Sequence, residues 1–261
     1  LAAEDRLPVL KSLTWDRALA EKFLATKEPP APVYAPIDPA PSLQQVAEAR
    51  RLIDGDSPAH RWLTRFADLT VRTAALLACV GQPEFYHHSA ALYGGPNEPI
   101  ADGRRFAFGL GRWFDTLLSV FRKGAALDAL ETIDAPAMKL RLESMLDGVF
   151  GAERPRIEVT RNVSAKAAAG RDYIKLREDA MFSDLDVTQL LQHEAFVHIA
   201  TGKNGQAQTR FPILAESYPG NARTQEGLAV FAEFISGALD PARFRKLAER
   251  DDVQLAFCWS H

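Results

Sequence analysis

The segment His193-Glu194-Ala195-Phe196-Val197-His198 puts two imidazoles and a carboxylate within six residues. These are the groups that a catalytic zinc site uses. Imidazole nitrogens bind Zn²⁺, and a glutamate beside the first histidine is placed to take a proton from the water that the metal acidifies. The familiar form of this motif spaces its histidines four apart on one helical face. Here they are five apart. At about 100° per residue, four steps bring the second ring within about 40° of the first, whereas five leave it about 140° away. A regular α-helix cannot chelate with this pair. A π-bulge between the histidines absorbs the extra residue, and such bulges are frequent at functional sites. If both imidazoles reach one ion, a distorted helix between His193 and His198 is expected; taken alone the spacing is weak evidence, since His-Glu with a nearby His arises by chance in many helices.

Two histidines need a third ligand. The candidate is Glu226, in Arg223-Thr224-Gln225-Glu226-Gly227-Leu228-Ala229. Two histidines and a glutamate with an open fourth position form a known catalytic zinc set. Gly227 in a helix interior costs about 1 kcal/mol against Ala, which suggests close approach of another group. On spacing alone, a solvated helix-surface carboxylate is the better reading of Glu226.

The elements that must position these residues are mostly helical. Ser183, with Asp186 three residues on, caps a helix through the histidines that Gly202 should close. Further helices are expected at about 223–236 and 241–250. Upstream, residues 58–80 carry Trp62, Phe66, Leu69, Thr73, Leu76 and Val80 as one apolar stripe. Residues 104–122 and 136–148 read as two more helices. Strand signals are few: residues 157–160 and 173–177 alternate, and the small-residue stretch between them suits a hairpin loop. From Pro29 to Pro41, six of 13 residues are proline, which predicts an extended tether. The class is α+β, helix-dominant, with a small sheet beside the histidine-bearing helix.

Composition excludes several functions. The 261 residues carry 31 basic and 34 acidic side chains, a net charge of −3. Nucleic-acid-binding domains are usually strongly basic, so no nucleic-acid partner is expected. The longest apolar runs fall short of a membrane span, and no membrane partner is expected. The two cysteines, Cys79 and Cys258, lie far apart, which fits a reducing compartment, the cytoplasm, better than a disulfide framework. Leu1-Ala2-Ala3-Glu4 opens no signal-peptide pattern. His87-His88 lacks an acidic partner at ligand spacing and reads as a surface pair.

The ordered series of motifs is more specific than the histidine pair. Tyr173-Ile-Lys-Leu-Arg177, Phe182-Ser-Asp-Leu-Asp-Val187, HEAFVH at 193–198, Thr201-Gly-Lys-Asn-Gly-Gln206 and TQEGLA at 224–229 follow one another. This series resembles the tyrosine carboxypeptidase family that includes the microtubule-associated tubulin detyrosinases. Bacterial members are named for the QEGLA motif, some being called flavohaemoglobin expression modulators. The match is strong over about 156–240 and weaker upstream, Leu92-Tyr93-Gly94 included. The resemblance implies a zincin-like metallopeptidase holding one Zn²⁺ per chain, with His193, His198 and Glu226 as ligands and Glu194 as catalytic acid/base. It implies a peptide or protein C-terminus as substrate, with an aromatic or apolar terminal residue favoured. The chain stops soon after Asp251-Asp252, where family members continue with further helices, so a truncated core is expected. The expected organisation is an N-terminal helical segment (1–28), the tether (29–42), a helical region (43–150) and the metallopeptidase core (151–261), the last two forming one catalytic unit.

A carboxypeptidase also needs a cation to receive the terminal carboxylate. Arg223, within one helical turn of Glu226, is the first choice, followed by Lys175, Arg177 and Arg210, each of which taken singly reads better as a surface or structural cation. Tyr218 is a candidate oxyanion donor, although Tyr218-Pro219-Gly220 is equally a plain turn. The alternative function is a zinc-binding regulatory or structural protein without peptidase activity. Against it, a structural site needs no base such as Glu194 and usually closes its coordination with a fourth protein ligand.

Overall fold

The structure, a computed structural model, describes residues 7–99, 103, 106–121, 130–163, 165–244 and 247. It is helix-dominant α+β, and its contacts group into two units. Of the described residues, one unit holds those from 7 to 95 together with 218–220, and the other holds those from 96 to 217 and from 221 to 247.

The first unit is helical. It contains α1 (Val9–Leu13), α2 (Arg17–Thr26), α3 (Ala40–Arg51), α4 (Pro58–Ala78) and α5 (Glu84–Tyr93). Residues 27–39 have no regular structure, as their prolines require. Pro41 lies in the first turn of α3, where a missing N–H leaves no hydrogen bond unmade. In α4, Ser57 caps the N-terminus by accepting from the His60 amide, and the buried face is Phe66, Ala67, Thr70, Thr73, Ala74, Leu76 and Leu77. The two buried threonines donate their hydroxyls to the Phe66 and Leu69 carbonyls, so the face loses no polar satisfaction.

The second unit carries the site. Its elements begin with α6 (Ala107–Phe121), β1 (Ile133–Asp134) and α7 (Ala135–Phe150). Three strands follow, β2 (Arg156–Thr160), β3 (Ala167–Ala169) and β4 (Tyr173–Arg177), then β5 (Met181–Phe182) and α8 (Asp184–Gln189). A π-helical segment, Leu190–Ile199, continues directly from α8 and runs on into α9 (Ala200–Gln206). The last element is α10 (Pro219–Ile235). Beyond it, residues 241–244 and 247 are helical; the rest of the helix expected at 241–250, and Cys258, lie outside the described residues.

The hairpin expectation is corrected. β2 and β4 pair in parallel, Ile157 opposite Ile174, and the sheet order is β2-β4-β3. The stretch read as a loop contains β3, which pairs antiparallel with β4 and packs against the π segment. Three alanines carry little strand propensity of their own; their strand comes from the ladder to β4. A second correction concerns Gly202, which does not close its helix: α9 runs to Gln206. The glycine that matters is Gly205, where an added Cβ would lie 2.3 Å from the Leu214 carbonyl oxygen.

One apolar core binds these elements together. Met138, Leu142 and Leu146 of α7 meet Ile174 and Leu176 of β4, Phe182, and Leu190, Leu191, Ala195 and Ile199 of the π segment. Six of these side chains have no exposure at all: Met138, Leu142, Leu146, Ile174, Leu176 and Ala195. The histidine-bearing segment is thus one wall of the core.

Candidate functional site

Ser183 opens the site-bearing helix with a capping box. Its hydroxyl accepts from the Asp186 amide, and the Asp186 carboxylate accepts from the Ser183 amide. Five turns of sequence pattern then have to satisfy two demands. The core takes Leu190, Leu191, Ala195 and Ile199, while His193 and His198 must face one point. Over Leu190–Ile199 the helix answers with the π form, in which hydrogen bonds span five residues. A residue five along then lies nearly one turn on. The expected distortion between the histidines is present, and their ring centroids are 4.9 Å apart.

His193, Glu194 and His198 each offer a ligand atom, all within 4.8 Å of one another. Glu226, on α10, lies closer still to the imidazoles. Its Oε2 is 3.6 Å from His193 Nε2 and its Oε1 is 3.6 Å from His198 Nε2. The nearest Glu194 oxygen is 4.0 Å from His193 Nε2. Ligands around a tetrahedral zinc with bonds of about 2.0–2.2 Å sit roughly 3.3–3.5 Å from one another. The two imidazole–Glu226 separations lie close to that spacing, one to each carboxylate oxygen, and two histidines with a glutamate are a donor set that suits such an ion. His193 is 9% exposed, His198 24% and Glu226 60%, so the glutamate side of the cluster faces solvent.

Behind His193 stands a group that the sequence reading missed. Glu233 is fully buried and accepts from His193 Nδ1 at 2.6 Å. Arg243 donates to it twice, Nε to Oε2 and Nη2 to Oε1, both at 2.9 Å, and Gln189 Nε2 donates at 3.4 Å. The available signal was its spacing: Glu233 follows Glu226 by seven residues, two helical turns on the same face. Burial works against the Glu233 charge, but the Arg243 fork and His193 outweigh it and hold the carboxyl well below the usual carboxylate range. Burial likewise opposes protonation of His193. The carboxylates of Glu226, Glu233 and Glu194 overcome that penalty and raise its pKa to about 9. The raised pKa places a proton on His193 at neutral pH, between the carboxylates that favour it.

The other candidates are placed elsewhere in local detail. Arg223 lies on α10 and donates from Nη2 to Glu98 Oε2 at 2.8 Å, both side chains being exposed. Lys175 lies on β4 with its ammonium 4.9 Å from the Tyr173 ring centre. Arg210 is exposed beside the Phe211 ring. The Tyr218 hydroxyl accepts from Trp62 Nε1 at 2.8 Å, and its ring meets Phe66 edge-on. His87 and His88 lie on α5, in no group of metal-ligating side chains among the described residues. Near Gly227, no described atom beyond its own helix backbone comes within 4 Å of a Cβ position, so the close approach inferred there is not made by any described residue.

Among the described residues, no helix is long and apolar enough to cross a membrane. Neither the curated proteins nor the solved structures give a significant match to the sequence. A family model does, and it spans the π segment, α10 and most of the helices before them. Residues 21–252 of the 261 match it, and the chain belongs to the microtubule-associated tyrosine carboxypeptidase family.

Proposed function

We propose that the chain is a zinc-dependent carboxypeptidase, with His193, His198 and Glu226 holding one Zn²⁺ and Glu194 serving as general acid/base. The observation that carries this reading is the π segment. Ten residues of a rare helical form bring two imidazoles, five apart in sequence, onto one glutamate. Zn²⁺ bound there would polarise the scissile carbonyl and acidify water. Glu194, part of the same cluster and 20% exposed, is reachable by a small molecule yet shielded enough to hold its geometry. It takes the proton of the attacking water and returns it to the leaving amine. β3 is an edge strand packed against the π segment, and its outer edge would hold the substrate backbone by strand addition. Family membership supports release of a C-terminal residue, tyrosine or another aromatic or apolar one.

The test is cleavage of peptides with varied C-terminal residues by zinc-loaded protein, followed by mass spectrometry. Free-acid peptides ending in aromatic residues should lose one residue. Their C-terminal amides should be cut far more slowly, because the enzyme loses a charge-assisted contact. Equal turnover of acid and amide would point to an endopeptidase, and no zinc-dependent cleavage of any peptide would reject the enzymatic reading.

A further inference from the structure

We propose that Glu233, clamped by Arg243, is a positioning residue of the metal site, fixing His193 as the Nδ1–H tautomer with Nε2 turned toward His198 and Glu226. The inference rests on the metal reading above and extends it behind the ligands. A carboxylate accepts only, so at 2.6 Å from Glu233 the His193 Nδ1 must be the donor. That leaves Nε2 for the ion. Glu233 is itself held: Arg243 grips both oxygens at 2.9 Å, and Gln189 at the end of α8 adds a third side chain. The device joins three elements at one point. Gln189 precedes the π segment, His193 lies within it, and Glu233 shares α10 with the ligand Glu226, two turns further on.

A purely stabilising role would be a weak reason for this arrangement. Replacing a buried ion pair with apolar side chains is often neutral or favourable for stability. Carboxylates that orient a ligating histidine, by contrast, typically change metal affinity by about 10–100-fold when lost. The two roles separate in one experiment on the full chain. Glu233→Met/Arg243→Met removes both charges together and leaves neither buried alone. Its metal-free melting temperature should lie close to the parent's, while its zinc affinity, measured against a competing chelator, should fall by about 10–100-fold. Glu233→Gln keeps a neutral acceptor for Nδ1 and should bind zinc with intermediate affinity, whatever it does to melting.

Parent-like zinc affinity in a folded Glu233→Gln or in the double variant would overturn the proposal and leave the metal site standing. A parent protein that takes up no zinc would overturn the metal reading itself, and this inference with it.

Discussion

The two helices that bear the candidate ligands are held in different ways. The π segment is built into the core, with Leu190, Leu191, Ala195 and Ile199 packed against α7 and β4. On α10 the buried side chains are Ala229 and Glu233, whereas Leu228, Phe231, Phe234 and Ile235 are largely exposed. The histidines are therefore placed by apolar packing, and the candidate glutamate by a helix whose deepest anchors include a carboxylate. Packing is non-directional and tolerates a π distortion where volume demands it. A hydrogen-bonded anchor fixes direction, which is what a ring nitrogen needs. The difference implies that substitutions on the two helices will fail in different ways.

The largest contrast is between the two exposed-side glutamates. Glu194→Gln keeps shape and removes only the base, so turnover should fall by at least about 10²–10⁴-fold. Zinc occupancy and melting temperature should stay near the parent's. Glu226→Ala removes a ligand from α10 and should lower zinc affinity together with the metal-linked gain in stability. Its metal-free stability should also fall modestly below about pH 9, since Glu226 is among the carboxylates that hold the His193 proton. Zinc titration followed by thermal unfolding reads both variants. Loss of metal from Glu194→Gln would reassign Glu194 as a ligand.

A smaller, graded effect follows from the proton that the cluster holds without metal. His193 has its pKa raised from 6.5 to about 9 in the folded protein. Its contribution to metal-free stability is therefore fully present below about pH 6.5 and is lost as pH rises through about 9. Glu233 works in the opposite direction: its depressed pKa gives stability that is present above the ordinary carboxylate range and lost on acidification. With the proposed ligand set, zinc displaces the His193 proton, so apparent affinity should rise by roughly tenfold per pH unit below about pH 9, for one proton released. Isothermal titration in buffers of different ionisation enthalpy counts that proton. Zinc affinity that is flat between pH 6 and 8, with no proton counted on binding, would show that zinc does not displace a proton from His193.

The histidine spacing made the distortion legible before any coordinates, because five helical steps and a shared target are incompatible with 3.6 residues per turn. The Ser183 cap was legible for a similarly local reason: its partner, Asp186, is three residues away. What was not legible depends on long-range partners. Ala167–Ala169 has no strand signal and becomes β3 only because β4 offers a ladder. Pro219 and Gly220 read as a turn, yet they form the first turn of α10, a position that proline accepts. Glu233 looks like any helix carboxylate until His193, Arg243 and Gln189 are seen around it, 40, 10 and 44 residues away. Local rules predict caps and periods; they do not predict which charge a core will enclose.

The smallest expected effect concerns the least anchored part of α10, where Arg223 meets Glu98. An exposed ion pair of this kind is worth about 0–1 kcal/mol, so either partner is replaceable at little cost to folding. If Arg223 receives the substrate's terminal carboxylate, Glu98 competes for the same guanidinium. Glu98→Gln should then lower KM for a free-acid peptide by a few-fold, the factor that roughly 1 kcal/mol represents. Arg223→Gln should raise that KM and narrow the preference for acid over amide, while kcat changes less, because the contact forms on binding and persists through the reaction. The Glu98 effect should shrink as salt screens the pair. Parent-like KM and acid-over-amide preference in Arg223→Gln would remove Arg223 from the clamp and turn the search to Lys175 and Arg210. The comparison would then sharpen: α10 would supply the metal's third ligand and its anchor, and the substrate's charge would be met from outside that helix.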